Sequence, residues 1–142
     1  MNIPHLGTGV VYVPGLEPLL EPGLSPITAL EVEPATFWIH DPGLPERYQI
    51  TEERLARIAS WPQQKIVHGV GFPVGGSRPP DPLHLPLFGR VIDSLCARWA
   101  SEHLGFNQAQ QPEGLLNTRF FLPPLQTAAG VQAAAATIHS TA

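Results

Sequence analysis

Four stretches of strand character punctuate the chain: HLGTGVVYV (5–13), ITALEVE (27–33), KIVHGVGF (65–72) and RWASEHLGF (98–106). They are followed by Pro14, Pro34, Pro73 and Asn107, residues that end extended runs. Segments of helical period stand between or after them. In TEERLARIAS (51–60), Thr51 can cap, Glu52 and Glu53 suit the first turn, and Leu55, Ile58 and Ala59 form an apolar stripe. Leu85, Phe88, Val91, Ile92, Leu95 and Cys96 repeat at the same period, with Asp81 or a neighbour as cap and Pro86 in the first turn, where its missing N–H matters least. TAAGVQAAAATIH (127–139) reads as a third helix, weakened by Gly130. The first connection, PGLEPLLEPGLSP (14–26), holds so much proline that only one or two helical turns fit.

Strands that alternate with helices need crossover connections, and these impose a parallel sheet of right-handed βαβ units. The expected class is α/β, with parallel (β/α) units like the first four of a TIM-like (β/α)8 barrel: a half-barrel forming a single domain over residues 1–142. A compact, open four-stranded α/β sheet is the alternative.

Composition narrows the function. With 43% hydrophobic residues the chain can build a core, and its 17 prolines and 13 glycines stay below the roughly 25–30% that marks low complexity. The net charge of −4, with eight Lys and Arg scattered singly, argues against nucleic acid as a partner. Cys96, the single cysteine, falls on the apolar helical stripe and is expected to be a buried, inert thiol. The amino end MNIPHLGTGVVYVPG lacks the basic-then-apolar layout of a signal peptide, and prolines, glutamines and a histidine interrupt the uncharged stretch 120–142. A cytoplasmic protein without a membrane span is expected.

In parallel βα architectures the reactive groups gather where strands end and βα loops open onto a common mouth. Glu33, His68 and Glu102 sit near matching strand ends, roughly 35 residues apart each time, the length of one βα unit. On that spacing they should project toward one cavity. Carboxylates with imidazole suit Fe, Mn or Zn, and water-filled positions on such an ion can take a substrate or oxygen. The pattern has no short metal motif, so His68 can equally be read as a hydrogen-bonded core histidine. Glu31 shares the face of Glu33 as a partner or ion-pair member, and His103, beside Glu102, is a supporting or packed residue. His5, His40, His84 and His139 are expected in solvent. Gly69, Gly71, Gly75 and Gly76 match no dinucleotide or phosphate fingerprint and suit close backbone approach.

Taken together, HGVGFPVGG, SEHLGFN, FLPPLQT and ALEVEPATFW resemble segments of the multinuclear non-haem iron-dependent oxidative enzymes of the MbnB/TglH type. The resemblance implies a TIM-like barrel holding two or three irons that oxidatively modify cysteine-containing precursor peptides. It carries His68 and Glu102 onto iron-binding positions. Glu33 stands where the family pattern E-V-H-x-E-N has its histidine, and Ala35 and Thr36 replace the polar pair that follows. The family barrel continues through four more strands, so this chain corresponds to the amino-terminal half.

Three readings follow. The first is the amino-terminal part of an iron-dependent oxidative enzyme, with an incomplete site as a lone chain and iron held by His68, Glu102 and Glu33. The second is a non-catalytic, barrel-derived binding or scaffold domain that has lost the metal. The third is a metal-dependent sugar isomerase-like barrel. Expected partners are a precursor peptide and a complementary carboxyl-terminal half or partner protein. Open sheet edges near Val10 and Ala100 also point to self-association.

Overall fold

A computed structural model describes residues 5–20, 26–45, 47–76, 78 and 81–141. Residues 21–25 of the proline-rich connection lie outside the described residues. Just before them a single 3-10 turn runs from Glu17 to Leu19, as short as the prolines require. The chain divides into two compact units, Met1–His68 with Leu87–Ser101, and Gly69–Pro86 with Glu102–Ala142.

The first unit holds the parallel sheet. Strands β1 (Gly9–Val11), β2 (Ala29–Val32), β5 (Gln64–His68) and β6 (Ala100–Ser101) pair in parallel in the order β1-β2-β5-β6. Two strands that the sequence pattern does not announce, β3 (Trp38–His40) and β4 (Tyr48–Ile50), form a separate antiparallel pair between β2 and β5 in the chain. The order of the parallel strands follows the chain without reversing, so the sheet lacks the switch point of doubly wound folds. With helices α1 (Glu52–Ala59), α2 (His84–Leu95) and α3 (Ala128–Thr141), this is an α/β chain compatible with part of a barrel. The edges of the sheet are β1 and β6, near Val10 and Ala100.

Alternation along the strands decides which face is buried. Leu30, Val32 and Val67 are fully buried and cluster with Leu55 and Ile58 of α1 and Val91 and Leu95 of α2. Tyr12 lies in the same core, stacked on Phe37 at 6.5 Å and tilted against Trp61 at 5.8 Å. Its hydroxyl donates to Glu17 Oε1 at 2.8 Å, which satisfies the polar end of a buried ring. The Thr51 side chain makes no cap bond to α1; its carbonyl accepts from Leu55 N and its N–H donates to the Phe37 carbonyl.

Lys65 is the buried cation of this core, 6% exposed. Its ammonium donates to the carbonyl of Ala59, the last residue of α1, and to that of Trp61 just beyond the helix. Burial pushes its pKa below the ordinary lysine value of 10.5. The folded state thus binds this proton less tightly than the unfolded chain, so stability on Lys65's account rises as pH climbs from the lowered folded value toward 10.5. Urea midpoints measured across that window should rise less steeply in Lys65→Met than in the wild type.

Cys96 departs from the sequence expectation. It is exposed, because it is the first residue past α2 and adopts φ 46° there. Ala97 N donates to the Ile92 carbonyl at 3.0 Å and Cys96 N to the Asp93 carbonyl at 3.1 Å, the paired bonds of a left-handed helix stop. Glycine normally fills that position. Cys96→Gly is therefore expected to stabilise the protein by about 1 kcal/mol, read as a higher unfolding midpoint.

The second unit is built from the segments that follow β5 and β6. KIVHGVGF stops being a strand at His68, and the backbone of 74–75 pairs instead with that of 103–105: Val74 N donates to the His103 carbonyl at 2.9 Å and Gly75 N to that of Gly105 at 2.8 Å. A Cβ on Gly75 would stand 2.8–3.0 Å from three backbone atoms of Gly105, so Gly75 does serve close backbone approach. Strand β7 (Phe106–Gln111) and β8 (Gly114–Leu122) then form an antiparallel hairpin, which the sequence pattern did not reveal. The helix α3 starts where Thr127 Oγ1 accepts from Gly130 N at 3.1 Å. A Cβ on Gly130 would lie 2.0 Å from the Leu125 carbonyl oxygen, so the glycine expected to weaken this helix makes room for its entry. Among the described residues no helix is long and apolar enough to cross a membrane.

Candidate metal centre

The candidate residues divide between the units: Glu31, Glu33 and His68 in the first, Glu102 and His103 in the second. In the first, Val32 of β2 is registered with Val67 of β5. Glu33 and His68 each come one residue later, at the carboxyl ends of neighbouring parallel strands. Glu33 keeps extended backbone, φ −89° and ψ 111°, until Pro34 opens a 3-10 turn whose Pro34 and Phe37 are buried. Its carbonyl accepts from both the N–H and the hydroxyl of Thr36, at 3.1 and 2.7 Å. The position of Glu33 is thus pinned by a buried strand before it and a buried turn after it.

His68 is half-buried and its Nδ1 shares a hydrogen bond of 2.9 Å with Ser101 Oγ. Register pairs His68 with Ser101, one residue earlier on the fourth parallel strand than even spacing implied. Ser101 is the contact that sequence reasoning passed over; its signal was the serine opening SEHL. Glu31 is partly buried between Leu30 and Val32, and among the described residues it forms no ion pair.

Glu102, in the second unit, has a side chain only 7% exposed. Its Oε1 accepts from His103 N at 2.8 Å, and Phe72 N approaches Oε2 at 3.4 Å. The His103 ring stacks on Phe121 at 3.7 Å, with Nδ1 3.3 Å from the Gly69 carbonyl and 3.4 Å from Glu102 Oε1. Among the described residues no Lys or Arg pairs with this carboxylate. A carboxylate so placed is costly unless a cation or strong donors offset it, which suits a metal ligand.

The donor types, imidazole and carboxylate, fit iron. Their number is short: among the described residues no three His, Cys, Asp or Glu form a group able to hold one ion. Of the remaining histidines, His5, His40 and His139 are exposed as expected, and His84 is partly buried at the start of α2.

Comparison with known proteins bears on this arrangement. The chain is 37% identical over 81 residues to a UPF0276 protein of Chromobacterium violaceum, a match covering 54% of this chain and 28% of that protein. The profile of the RiPP precursor modification enzyme MbnB/TglH/ChrH family matches residues 29–142, which take in ALEVEPATFW, HGVG, SEHL and FLPPLQT. The resemblance read from those strand ends is borne out, and the chain belongs to the RiPP precursor modification enzyme MbnB/TglH/ChrH family.

Proposed function

We propose that this chain forms the amino-terminal half of a TIM-like barrel in an iron-dependent enzyme that oxidatively modifies cysteine-containing precursor peptides. The observation that carries the reading is the placement of Glu33 and His68 at the carboxyl ends of adjacent parallel strands, within the segment matched to the family. His68, Glu102 and Glu33 are the residues assigned to iron, with His103 bracing Glu102 and Glu31 lying deeper on β2. Iron, when bound, supplies the redox chemistry with oxygen. The chain's own residues fix donors: Ser101 sets the tilt of the His68 ring, and the N–H groups of Phe72 and His103 hold the Glu102 carboxylate. Among the described residues the donors are too few to hold an ion, and on this reading the remaining ligands come from a complementary carboxyl-terminal half or partner protein, which would pair with the edges β1 and β6. A second copy of the chain would compete for those same edges.

A second reading, a barrel-derived binding or scaffold domain without metal, is favoured by glutamate at position 33 and by the absence of a three-donor group among the described residues. Iron analysis separates the two. The chain is purified without oxygen together with the carboxyl-terminal part of a full-length relative, as wild type, His68→Ala and Glu102→Ala. The enzyme reading expects iron in the wild-type complex and its loss in both variants. A wild-type complex free of iron, with variants that still assemble, would instead establish the scaffold.

A further inference from the structure

The second unit contains a cleft of about 460 Å3, within the roughly 300–1,000 Å3 range of ligand pockets. Its apolar walls are Phe72, Phe106 and Leu115; its polar rim is Arg78, Asn107 and Gln108. Arg78 is exposed, and its Nη1 donates to Gln108 Oε1 at 2.5 Å, which fixes the guanidinium at the rim. A guanidinium carries five N–H donors, so this bond leaves most of the fork to spare. Among the described residues no carboxylate pairs with it. The acid on the same rim, Asp81, closes the turn into α2 with one carboxylate oxygen: its Oδ1 accepts from Leu83 N at 2.9 Å, and its backbone carbonyl accepts from His84 N at 2.9 Å.

The cleft also adjoins a candidate ligand. Phe72 lines the cavity, and its N–H approaches Glu102 Oε2 at 3.4 Å. An occupant seated against Phe72 therefore lies beside the residue that holds the buried carboxylate. Walls of aromatic and aliphatic side chains, amides on a strand and one oriented guanidinium together fit an extended peptide. Apolar side chains would enter the cleft, backbone groups would meet Asn107 and Gln108, and an acidic side chain would meet Arg78.

We infer that this cleft binds an extended segment of a peptide substrate and that Arg78 selects a glutamate or aspartate within it. The inference rests on the proposed action on precursor peptides, and it adds where a peptide sits and which charge it must carry. The test uses three fluorescein-labelled peptides, identical but for one position that is glutamate, glutamine or lysine between leucines. Anisotropy titrations with the complex of this chain and its complementary part should give binding about tenfold tighter for the glutamate peptide than for the glutamine peptide, and weakest for lysine. Arg78→Gln should erase that preference, Arg78→Lys should keep part of it, and Leu115→Asp should weaken all three peptides. Arg78 and Leu115 are exposed, so these variants should retain the wild-type circular dichroism. Equal binding of the three peptides, no binding at all, or an unchanged preference in Arg78→Gln would overturn the inference. Iron content is measured on the same samples. Iron without peptide selectivity would remove the cleft and leave the enzyme reading standing, whereas selectivity without iron would keep the cleft and remove the enzyme reading.

Discussion

Gly75→Ala is expected to destabilise the second unit by about 3 kcal/mol, because the new methyl meets backbone on the facing segment instead of a side chain that could swing away. The nearest atoms are Gly105 N and O at 2.8 Å and Gly105 Cα at 3.0 Å. Relief requires segments 74–75 and 103–105 to separate. That costs the bonds Val74 N to His103 O and Gly75 N to Gly105 O. Amide exchange should show the loss locally, with faster exchange at Val74 and Gly75 than in the wild type. Because His103 and Phe72 both hold Glu102, the same change should loosen the carboxylate. Unchanged exchange and an unchanged urea midpoint would mean that the two glycines do not meet as described.

Phe37→Ala should cost about 3–5 kcal/mol, a large part of what a domain of this size has to lose. Phe37 is fully buried, stacks on Tyr12, and closes the turn that fixes Glu33. Its carbonyl also receives Thr51 N at 2.9 Å, tying that turn to the entry of α1. Phe37→Leu keeps most of the apolar volume and should cost less than about 1.5 kcal/mol. Thermal unfolding of the pair separates lost volume from lost aromatic stacking. Equal, small effects would place Phe37 outside the core.

The elements legible in the sequence are those whose apolar residues keep a clear period. Leu55 with Ile58, and Val91 with Leu95, repeat at helical spacing and are the buried faces of α1 and α2. In β2, Leu30 and Val32 alternate with Glu31, so the strand and its buried face both followed. The strand ends were less legible. KIVHGVGF is apolar to Phe72, yet the strand ends at His68, since Gly75 can approach Gly105 more closely than a side chain would allow. RWASEHLGF contributes only Ala100 and Ser101 to the sheet before β7 begins at Phe106. The hairpin was hidden because Asn107, Gln108, Gln110 and Gln111 carry no apolar alternation; its one sign was Pro112-Glu113-Gly114 at the turn, with φ 134° at Gly114. Cys96 shows the limit of periodicity itself: it continues the apolar stripe of α2 by type but falls one residue beyond its end.

Of the candidate site, residue types and strand-end positions of Glu33 and His68 were readable, because both follow from where β2 and β5 stop. Register was not. Whether His68 faces Ser101 or Glu102 depends on where β6 begins, and a strand of two residues leaves no alternation to count. The bracing of Glu102 by Phe72 and His103 depends on the path of a glycine-rich loop, which no local pattern encodes.

Iron affinity in a graded series tests the assignment of His68 most directly. Anaerobic Fe(II) titrations against a competing chelator, on the chain assembled with the carboxyl-terminal part of a full-length relative, would compare wild type, Ser101→Ala and His68→Ala. Ser101 touches the ring, and on the proposed assignment it would not touch the iron, so its removal should weaken iron about tenfold, whereas loss of the imidazole should cost well over roughly 100-fold. That ordering, with all three proteins equally folded, is the predicted result. Equal iron affinity in wild type and His68→Ala would contradict the account and return His68 to a hydrogen-bonded residue at the end of a strand.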